Sequence, residues 1–447
     1  MRQIANLFLI LFLAAAGLGI LTELLNPSGL NTYLSGLRGL AGLSLFLVAV
    51  PVYFGLGLNR HLAKALFVPL LGYLLWGLLD FWPLETLAGS HYRLYAFCAQ
   101  LLLGLLALRE IRRQNGESQL LMPSQFEGPG FSGGNLLRFC LVGIPLLPLI
   151  LLLLGYASAG SLIEEYTAGF VRLKPNGLYM IEKVYALNDK EIRLAGMIHM
   201  GREDYYAELA DSFNDGDALL LAEGVSDTKG LLKDRFSYGR VADLLGLASQ
   251  EKQPFPGRLV DAASLDQPLS AAAGTPDILR ADIDLQNFDP RTLKVLNAIS
   301  RYLLNSRSLS TGYREFSNWA ERNITPETNQ ILMTDLLEKR NQAVLGYLTK
   351  GLRKYRTLLI PWGALHMPGL EAAVKARGFT WRESRERLSI DFFSLPYARL
   401  WKNLIGVAAG RAGIAEYFQG ADEKKPEETL SFTKDFESGL SPAGCNL

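Results

Sequence analysis

The sequence has few cysteines and almost no charge imbalance, and each of these absences excludes a class of protein. Only three cysteines occur among 447 residues, and Cys98, Cys140 and Cys445 lie far apart along the chain. They cannot build a disulfide framework or a cysteine-based zinc site. The formal net charge is only +1, whereas proteins that bind nucleic acid carry a concentrated basic surface. The composition therefore argues against a nucleic acid as partner.

The apolar residues are concentrated in the first third of the chain. Five stretches approach the roughly 20 apolar residues that are needed to cross a bilayer. They lie near residues 4–24, 37–58, 64–82, 91–108 and 136–157. We therefore predict an all-α transmembrane bundle of about five helices over residues 1–158, with the lipid bilayer as its partner. Charged residues are scarce inside these stretches, which favours an anchor over a transport path.

Lysine and arginine lie in alternate short loops of this region. The basic positions are Arg2, Arg60, Lys64, Arg109, Arg112, Arg113 and Arg138. Short loops rich in Lys and Arg stay in the cytoplasm. With five spans, this pattern predicts a multi-pass membrane protein whose N-terminus is cytoplasmic and whose soluble domain is periplasmic or extracellular. One span more or fewer would reverse the side of that domain.

Residues 159–400 have the pattern of an α/β domain. Runs of strand-forming residues alternate with helical segments, which indicates a mixed sheet with a helical insertion. The predicted strands are Tyr179–Leu187 and Glu191–His199, joined as a hairpin, then Leu219–Val225, Thr357–Trp362 and Leu388–Phe393. The predicted helices are Glu203–Phe213, most of residues 226–356 including one from Pro326 to about Tyr355, and Leu370–Arg377. Residues 401–447 are expected to form an amphipathic segment and a disordered tail.

Two copies of a short histidine motif carry the main chemical signal. The α/β domain has only two histidines, and His199 and His366 each end a Gly-x-x-His sequence that opens at Gly196 and Gly363. Each motif ends a predicted buried strand, and the carboxyl ends of strands are where α/β sheets collect ligands. A single strand-end histidine is usually structural. Two such motifs, with no other histidine in the domain, predict a shared site.

Three further polar residues interrupt apolar patterns. Glu223 ends the run Leu-Leu-Leu-Ala, where a carboxylate is costly unless it is paired or binds a metal. Arg340 and Asn341 fall in the gap of the apolar stripe of the helix that opens at Pro326, so they should face inward. An inward arginine needs an anionic partner, and Glu223 or a substrate oxyanion would serve. The alternatives are a carboxylate satisfied by an unrelated amide and an arginine that reaches solvent at the edge of the core.

These residues leave two kinds of chemistry open. His199, Glu223 and His366 suit a divalent transition metal such as manganese, cobalt or zinc, with an open position for water. They equally suit metal-free acid–base catalysis, in which His199 or Glu223 takes a proton from water. Asp282 and Asp284 are either further ligands or part of the cap region of the helix that starts after Asp289 and Pro290, and the cap interpretation is favoured.

Five segments together resemble the TraB/PrgY family, which is related to GumN and more distantly to Tiki proteins, ChaN-type proteins and erythromycin esterases. They are Ile192–His199, residues 221–225 (Leu-Ala-Glu-Gly-Val), 281–285 (Ala-Asp-Ile-Asp-Leu), Glu338–Asn341 and Leu359–Gly369. The likeness covers about residues 178–385. It departs from the family at Met197, where a small hydroxyl residue is commoner, and in the preceding membrane bundle.

The resemblance implies a two-fold α/β arrangement in which His199, Glu223, Arg340, Asn341 and His366 converge. Tiki-type members are metal-dependent proteases at the outer cell surface, TraB/PrgY members limit peptide pheromone activity, and erythromycin esterases hydrolyse without an obligatory metal. The leading hypothesis is therefore a membrane-anchored, metal-dependent, peptidase-like hydrolase on the non-cytoplasmic face, with a peptide or protein substrate. The alternative is a non-catalytic module that binds a peptide signal or a metal complex.

Overall fold

A computed structural model describes the chain in two compact units. The described residues are 1–25, 31–116, 120–213, 217–233, 238–250, 255–266, 275–306 and 309–401. The first unit comprises Met1–Glu165 and Arg172–Asn176, and the second comprises Tyr166–Val171 and the chain from Gly177 onward. The predicted amphipathic segment and tail lie almost wholly outside the described residues, because the description ends at Trp401.

The first unit is helical, as its apolar composition predicts. Its helices are α1 (Arg2–Leu24), α2 (Asn31–Leu58), α3 (Lys64–Gly77), α4 (Leu84–Ala88), α5 (Tyr92–Asn115) and α6 (Gly133–Tyr166). Four helical segments are long and apolar enough to cross a membrane, and they are Arg2–Leu24, Tyr33–Leu58, Leu84–Asn115 and Gly133–Tyr166. The chain therefore has the character of a membrane protein. The sequence predicts five spans, so one of them falls short.

The short segment is the third predicted span. Helix α3 has 14 residues, and at about 1.5 Å per residue it is roughly 21 Å long, less than the ~30 Å of a bilayer core. The helix ends because Asp80 and Phe81 take left-handed backbone conformations, with φ of 49° and 60°. Asp80 is also held by a hydrogen bond of 2.8 Å from the Tyr92 hydroxyl. A turn at Asp80 therefore replaces the last part of the expected span.

Contacts between helices show the direction in which each one runs. Met1 packs against Gly55 at one end of α1 and α2, and Arg38 lies 3.5 Å from Glu23 at the other end. These two helices are therefore antiparallel. Helices α2 and α6 are antiparallel as well, because the Tyr53 hydroxyl donates to the Gly143 carbonyl, whereas Phe139 packs against Gly57.

The short helix α3 keeps the alternation of directions. Phe8 of α1 packs against Phe67 of α3, and Phe12 packs against Tyr73, so these two helices are parallel. Helix α5 is antiparallel to α1, because Gln100 donates to the Phe12 carbonyl and Phe97 packs against Gly19. The directions of α1, α2, α3, α5 and α6 thus alternate. The carboxyl end of α6 lies at the opposite end of the bundle from Met1.

The second unit is an α/β domain with a mixed sheet, as predicted. The strands of the chain are β1 (Val171–Lys174), β2 (Gly177–Leu187), β3 (Lys190–Met197), β4 (Met200–Gly201), β5 (Ala218–Ala222), β6 (Ala248–Ser249), β7 (Arg258–Val260), β8 (Asp277–Arg280), β9 (Thr357–Gly363) and β10 (Thr380–Asp391). Seven strands of this unit lie side by side in the order β10-β2-β3-β9-β5-β8-β7. The pairs among β10, β2 and β3 are antiparallel, and every pair from β3 to β7 is parallel. Strands β4 and β6 form a separate antiparallel pair.

Helices alternate with the strands along the chain of this unit. They are α7 (Glu203–Asp211), α8 (Gly239–Leu245), α9 (Pro290–Ile299), α10 (Leu309–Asn323), α11 (Pro326–Met333), α12 (Arg340–Lys354) and α13 (Met367–Ala376). The long helix that the sequence predicts is α11 and α12, joined by a π-helical turn, Thr334–Lys339. The Thr325 side chain accepts a hydrogen bond from the Thr328 N–H, as expected of a cap.

The core forms where α12 and α13 cover the central strands. Its apolar side chains include Leu219, Leu221, Leu358, Ile360, Trp362, Val344, Leu348, Leu370 and Val374, all fully buried. Strands β7 and β8 fall in a region that the sequence predicts to be mainly helical, and at three and four residues they are too short to show a period. Strand β10 begins at Thr380, eight residues before the predicted Leu388. The sequence pattern indicates only the second half of this strand, because the first half is polar and exposed.

A buried charged triad joins the three antiparallel strands. The Glu182 side chain of β2 is fully buried, and its two oxygens accept hydrogen bonds of 2.6 Å from Arg193 of β3 and from Arg387 of β10. Two guanidinium groups would be left without their carboxylate if Glu182 were lost. The loss of one partner of a buried ion pair costs about 3–5 kcal/mol.

We therefore expect Glu182→Ala to lower the free energy of unfolding of the second unit by about 3 kcal/mol or more. Urea unfolding of the full chain in detergent, followed by near-UV circular dichroism, measures this change. The matched control is Glu383→Ala on β10, because Glu383 and Arg385 form an exposed pair at 2.7 Å that contributes less than about 1 kcal/mol. Equal effects of the two substitutions would contradict a stabilising role for the triad.

Candidate functional site

Four neighbouring parallel strands each lead to one polar residue at the same edge of the sheet. Strand β3 is followed by His199, β9 by His366, β5 by Glu223 and β8 by Asp282. The order β3-β9-β5-β8 makes these strands direct neighbours. Because parallel strands end at a common edge, their carboxyl ends bring these side chains together. The site is therefore at the position that the two Gly-x-x-His motifs predict.

Arg340 lies at the centre of this group. It is the first residue of α12, directly after the π-helical turn, and its side chain is only 12% exposed. Its Nη2 atom donates to Glu223 Oε1 and to Asp282 Oδ2, both at 2.7 Å, and its Nε atom donates to Asp282 Oδ1 at 3.0 Å. Arg340 Nη1 lies 3.2 Å from His366 Nε2. The inward arginine thus has the anionic partner that was predicted, and a second carboxylate besides.

The protonation of His366 follows from these contacts. A guanidinium group can only donate hydrogen bonds, so His366 Nε2 accepts one from Arg340 and the ring proton lies on Nδ1. That Nδ1–H donates to Asn341 Oδ1 at 2.8 Å, and Asn341 Nδ2 faces the His366 carbonyl at 3.4 Å. The pKa of His366 is lowered to about 4, mainly by burial; Glu223 opposes this shift and Arg340 contributes to it. His366 is therefore neutral at neutral pH.

His199 has different surroundings. It is partly exposed, its ring stacks on Tyr238 with centroids 4.7 Å apart and planes 8° apart, and its Nδ1 atom lies 3.1 Å from Gln250 Oε1. Within the part of the chain that the structure describes, His199 Nε2 has no hydrogen-bond partner. The two motif histidines therefore differ, since both nitrogens of His366 are engaged and one nitrogen of His199 is available.

The motif glycines have different roles. A Cβ at Gly196 would lie 3.1 Å from the Cβ of Phe170 and 3.2 Å from its carbonyl oxygen, so the close approach of the backbone explains this glycine. Gly363 has room for a Cβ. Its contribution is the backbone N–H, which donates to Glu223 Oε2 at 2.6 Å. Both oxygens of Glu223 are therefore engaged, one by Arg340 and one by the motif backbone.

Neither aspartate caps the helix that the sequence points to, because the N-cap of α9 is Asp289. Asp284 caps the short helical turn Leu285–Asn287 and accepts a hydrogen bond of 2.9 Å from the Gln286 N–H. The Asp282 side chain is fully buried and binds Arg340 and the Gly224 N–H, the latter at 2.9 Å. The reason is position, because Asp282 follows strand β8 at the edge of the sheet where the site lies.

The three residues predicted as metal ligands do not fit a metal in this arrangement. Both oxygens of Glu223 and both ring nitrogens of His366 already have hydrogen-bond partners. The Arg340 guanidinium lies between Glu223 and His366, where a bound cation would have to be. Among the described residues, no three His, Cys, Asp or Glu side chains form a group that could hold a metal ion. The site as folded is built around an organic cation.

Comparison of the chain with known protein families, with curated proteins and with solved structures finds no match.

We expect the stability of the second unit to fall as the pH is lowered from about 7 to about 5. The pKa of His366 is about 4 in the folded chain, whereas a histidine in the unfolded chain has the ordinary value of 6.5. Between these two pH values the unfolded chain therefore binds more protons than the folded chain. The contribution of His366 to the free energy of unfolding is complete above the pKa of the unfolded chain and decreases as the pH falls toward the pKa of the folded chain. The decrease between pH 7 and pH 5 is about 2 kcal/mol.

Urea unfolding of the wild type and of His366→Gln at the two pH values isolates this contribution, because all other titrating groups are shared. The variant should lose less stability than the wild type when the pH is lowered. Identical pH dependence in the two proteins would contradict a buried, neutral His366.

Proposed function

We propose that this chain is a membrane-anchored hydrolase that cleaves a peptide or a similar acyl bond, with water activated by His199. The observation that carries the proposal is the difference between the two motif histidines. His366 is buried and bound at both nitrogens, whereas His199 is partly exposed and its Nε2 atom has no partner among the described residues. A general base needs such a free lone pair within reach of a water molecule.

In the proposed reaction, a water molecule attacks the acyl carbon while its proton passes to His199 Nε2. The bond from the acyl carbon to the leaving group then breaks, and His199 returns the proton to that group. Arg340 supports the intermediate. Arginine has five N–H donors, and four of those of Arg340 are bound by Asp282, Glu223 and His366. The remaining Nη1–H has no partner among the described residues, and it is the donor for the oxyanion.

The other site residues position these two groups. Glu223 and Asp282 hold the guanidinium in place by hydrogen bonds of 2.7 Å. Asn341 is not the donor for the oxyanion, because its side-chain oxygen and nitrogen both face His366. In the proposed mechanism Asn341 therefore orients His366, and His366 in turn orients Arg340. A requirement for manganese, cobalt or zinc does not form part of the proposal, because Arg340 takes the place of the cation.

Membership of the TraB/PrgY family, with its TraB/Tiki/ChaN-like fold, belongs to the same proposal. The support is that His199, Glu223, Arg340 and His366, which come from four separate motifs of the resemblance, meet at one edge of one sheet. Among the relatives that the resemblance names, erythromycin esterases hydrolyse without an obligatory metal, and this site is most similar to theirs in that respect.

We also propose that the α/β domain lies on the non-cytoplasmic side of the membrane. The support comes from the alternating directions of α1, α2, α3, α5 and α6, which bring the chain to the opposite end of the bundle from Met1. The loop residues Arg60 and Lys64 belong to the same end as Met1, since Asn59 and Leu62 lie beside Gly55. Basic loops stay in the cytoplasm. The short α3 and the turn after it would together complete the third crossing.

We expect His199→Ala to abolish hydrolysis, with a loss of about 10²–10⁴-fold, because the general base is removed. The full chain in detergent is screened against a fluorogenic peptide library and a nitrophenyl ester. His91→Ala in the first unit is the matched control and should retain activity. Full activity of His199→Ala would contradict the mechanism. Saturable peptide binding without turnover in the wild type would favour the non-catalytic module instead.

The orientation is tested with single cysteines in a chain whose own three cysteines are replaced by serine. Gln3→Cys lies in α1, and Ala376→Cys lies at the end of α13; both positions are exposed. In right-side-out membrane vesicles, an impermeant maleimide should label Ala376→Cys and leave Gln3→Cys unlabelled until the membrane is dissolved. The reverse pattern would place the domain in the cytoplasm.

A further inference from the structure

We propose that Gln250 is a positioning residue that keeps the proton of His199 on Nδ1 and so leaves the Nε2 lone pair free for water. This inference rests on the proposed function, because it explains how His199 is prepared as a base. Gln250 belongs to none of the motifs that the sequence shows. It approaches the site from the short strand β6, which ends one residue before it.

The geometry fixes Gln250 and His199 relative to each other at two points. The side chains meet at 3.1 Å between Oε1 and Nδ1, and the Gln250 N–H donates to the His199 carbonyl at 3.0 Å. The antiparallel pair of β4 and β6, with Met200 opposite Ser249, continues this backbone contact. Tyr238 covers one face of the imidazole. The ring of His199 is therefore held in plane by stacking and in rotation by the amide.

The identity of the atom that faces Nδ1 decides the tautomer. The Gln250 amide oxygen can only accept a hydrogen bond, so Nδ1 must carry the proton and Nε2 must be unprotonated in the neutral ring. The other side of the amide supports this orientation, because Gln250 Nε2 faces the Met197 sulfur at 4.0 Å, a weak acceptor. A neutral imidazole free in water prefers the other tautomer, with the proton on Nε2. In that form the atom that faces the water could not take a proton.

His366 makes the same kind of hydrogen bond to an amide oxygen, and there the partner of the other ring nitrogen is known. His366 Nδ1 donates to the amide oxygen of Asn341 at 2.8 Å, and its Nε2 atom accepts from Arg340. There the amide prepares Nε2 to receive a hydrogen bond. The site thus contains two amide–histidine pairs, His199 with Gln250 and His366 with Asn341. One pair presents its lone pair to a guanidinium, and the lone pair of the other has no partner among the described residues.

The experiment is nitrogen NMR of the full chain labelled with ¹⁵N-histidine, because the chemical shifts of the two ring nitrogens report the tautomer directly. The chain has four histidines, so one spectrum of His199→Ala identifies the signals of His199. The wild type should show the Nδ1–H form at neutral pH. Gln250→Ala should move His199 toward the Nε2–H form, whereas Gln250→Glu keeps an acceptor oxygen and should keep the Nδ1–H form.

Activity is measured on the same proteins. Gln250→Ala should lower kcat roughly 10- to 100-fold with little change in KM, a smaller loss than the ~10⁴-fold found where a buried aspartate that orients a catalytic histidine is replaced by its amide. Gln250→Glu should restore much of the rate. The control is Gln330→Ala, since Gln330 is exposed on α11, and it should leave both the spectrum and kcat unchanged.

The outcomes separate this inference from the proposed function. An Nδ1–H form of His199 that persists in Gln250→Ala overturns the inference, whatever the activity. A shift of tautomer in Gln250→Ala, in a preparation for which no variant and no wild type shows hydrolysis, supports the role of Gln250 and overturns the hydrolase instead. A loss of kcat in Gln250→Ala that Gln250→Glu does not rescue, with the tautomer unchanged, would assign Gln250 a structural role.

Discussion

The site depends on one buried positive charge, the guanidinium of Arg340, and on the groups that neutralise it. A guanidinium with 12% exposure is unstable without partners, and removing one partner of a buried ion pair costs about 3–5 kcal/mol. Its partners follow three different strands: Glu223 after β5, Asp282 after β8 and His366 after β9. The arginine therefore ties three loops to the start of α12. The π-helical turn before Arg340 is the local irregularity that accompanies this position.

The same interaction explains why two copies of one motif have different roles. Arg340 engages His366 and Glu223, and the Gly363 backbone engages the second oxygen of Glu223. These groups are then fixed and have no free atom with which to take a proton. His199 lies outside this network of hydrogen bonds, although it is close enough to lower the pKa of His366. The difference between His366, which is bound at both nitrogens, and His199, which lies outside the network, thus follows from the location of the positive charge.

The sequence was sufficient to predict those parts of the site that depend on local patterns. The runs before His366 and Glu223 are continuous apolar strands, and the run before His199 is apolar from Leu194 onward, so their ends, and the meeting of these residues, could be predicted. The inward direction of Arg340 followed from the helical period. Asp282 was misjudged because β8 has only four residues and shows no period. Gln250 and Tyr238 could not be identified, since they reach His199 from polar segments whose path only the tertiary structure determines. The early end of α3 likewise depends on the turn at Asp80.

The most direct test of this account is the metal content of the purified full chain after incubation with manganese, cobalt or zinc and removal of unbound ions. The central claim is that Arg340 is the cation at the centre of the site. The account predicts well under one equivalent of any of the three metals, and the same content in a His199→Ala/His366→Ala double variant. About one equivalent of metal in the wild type, lost in the double variant, would contradict this account and would support the hypothesis of a metal-dependent hydrolase instead.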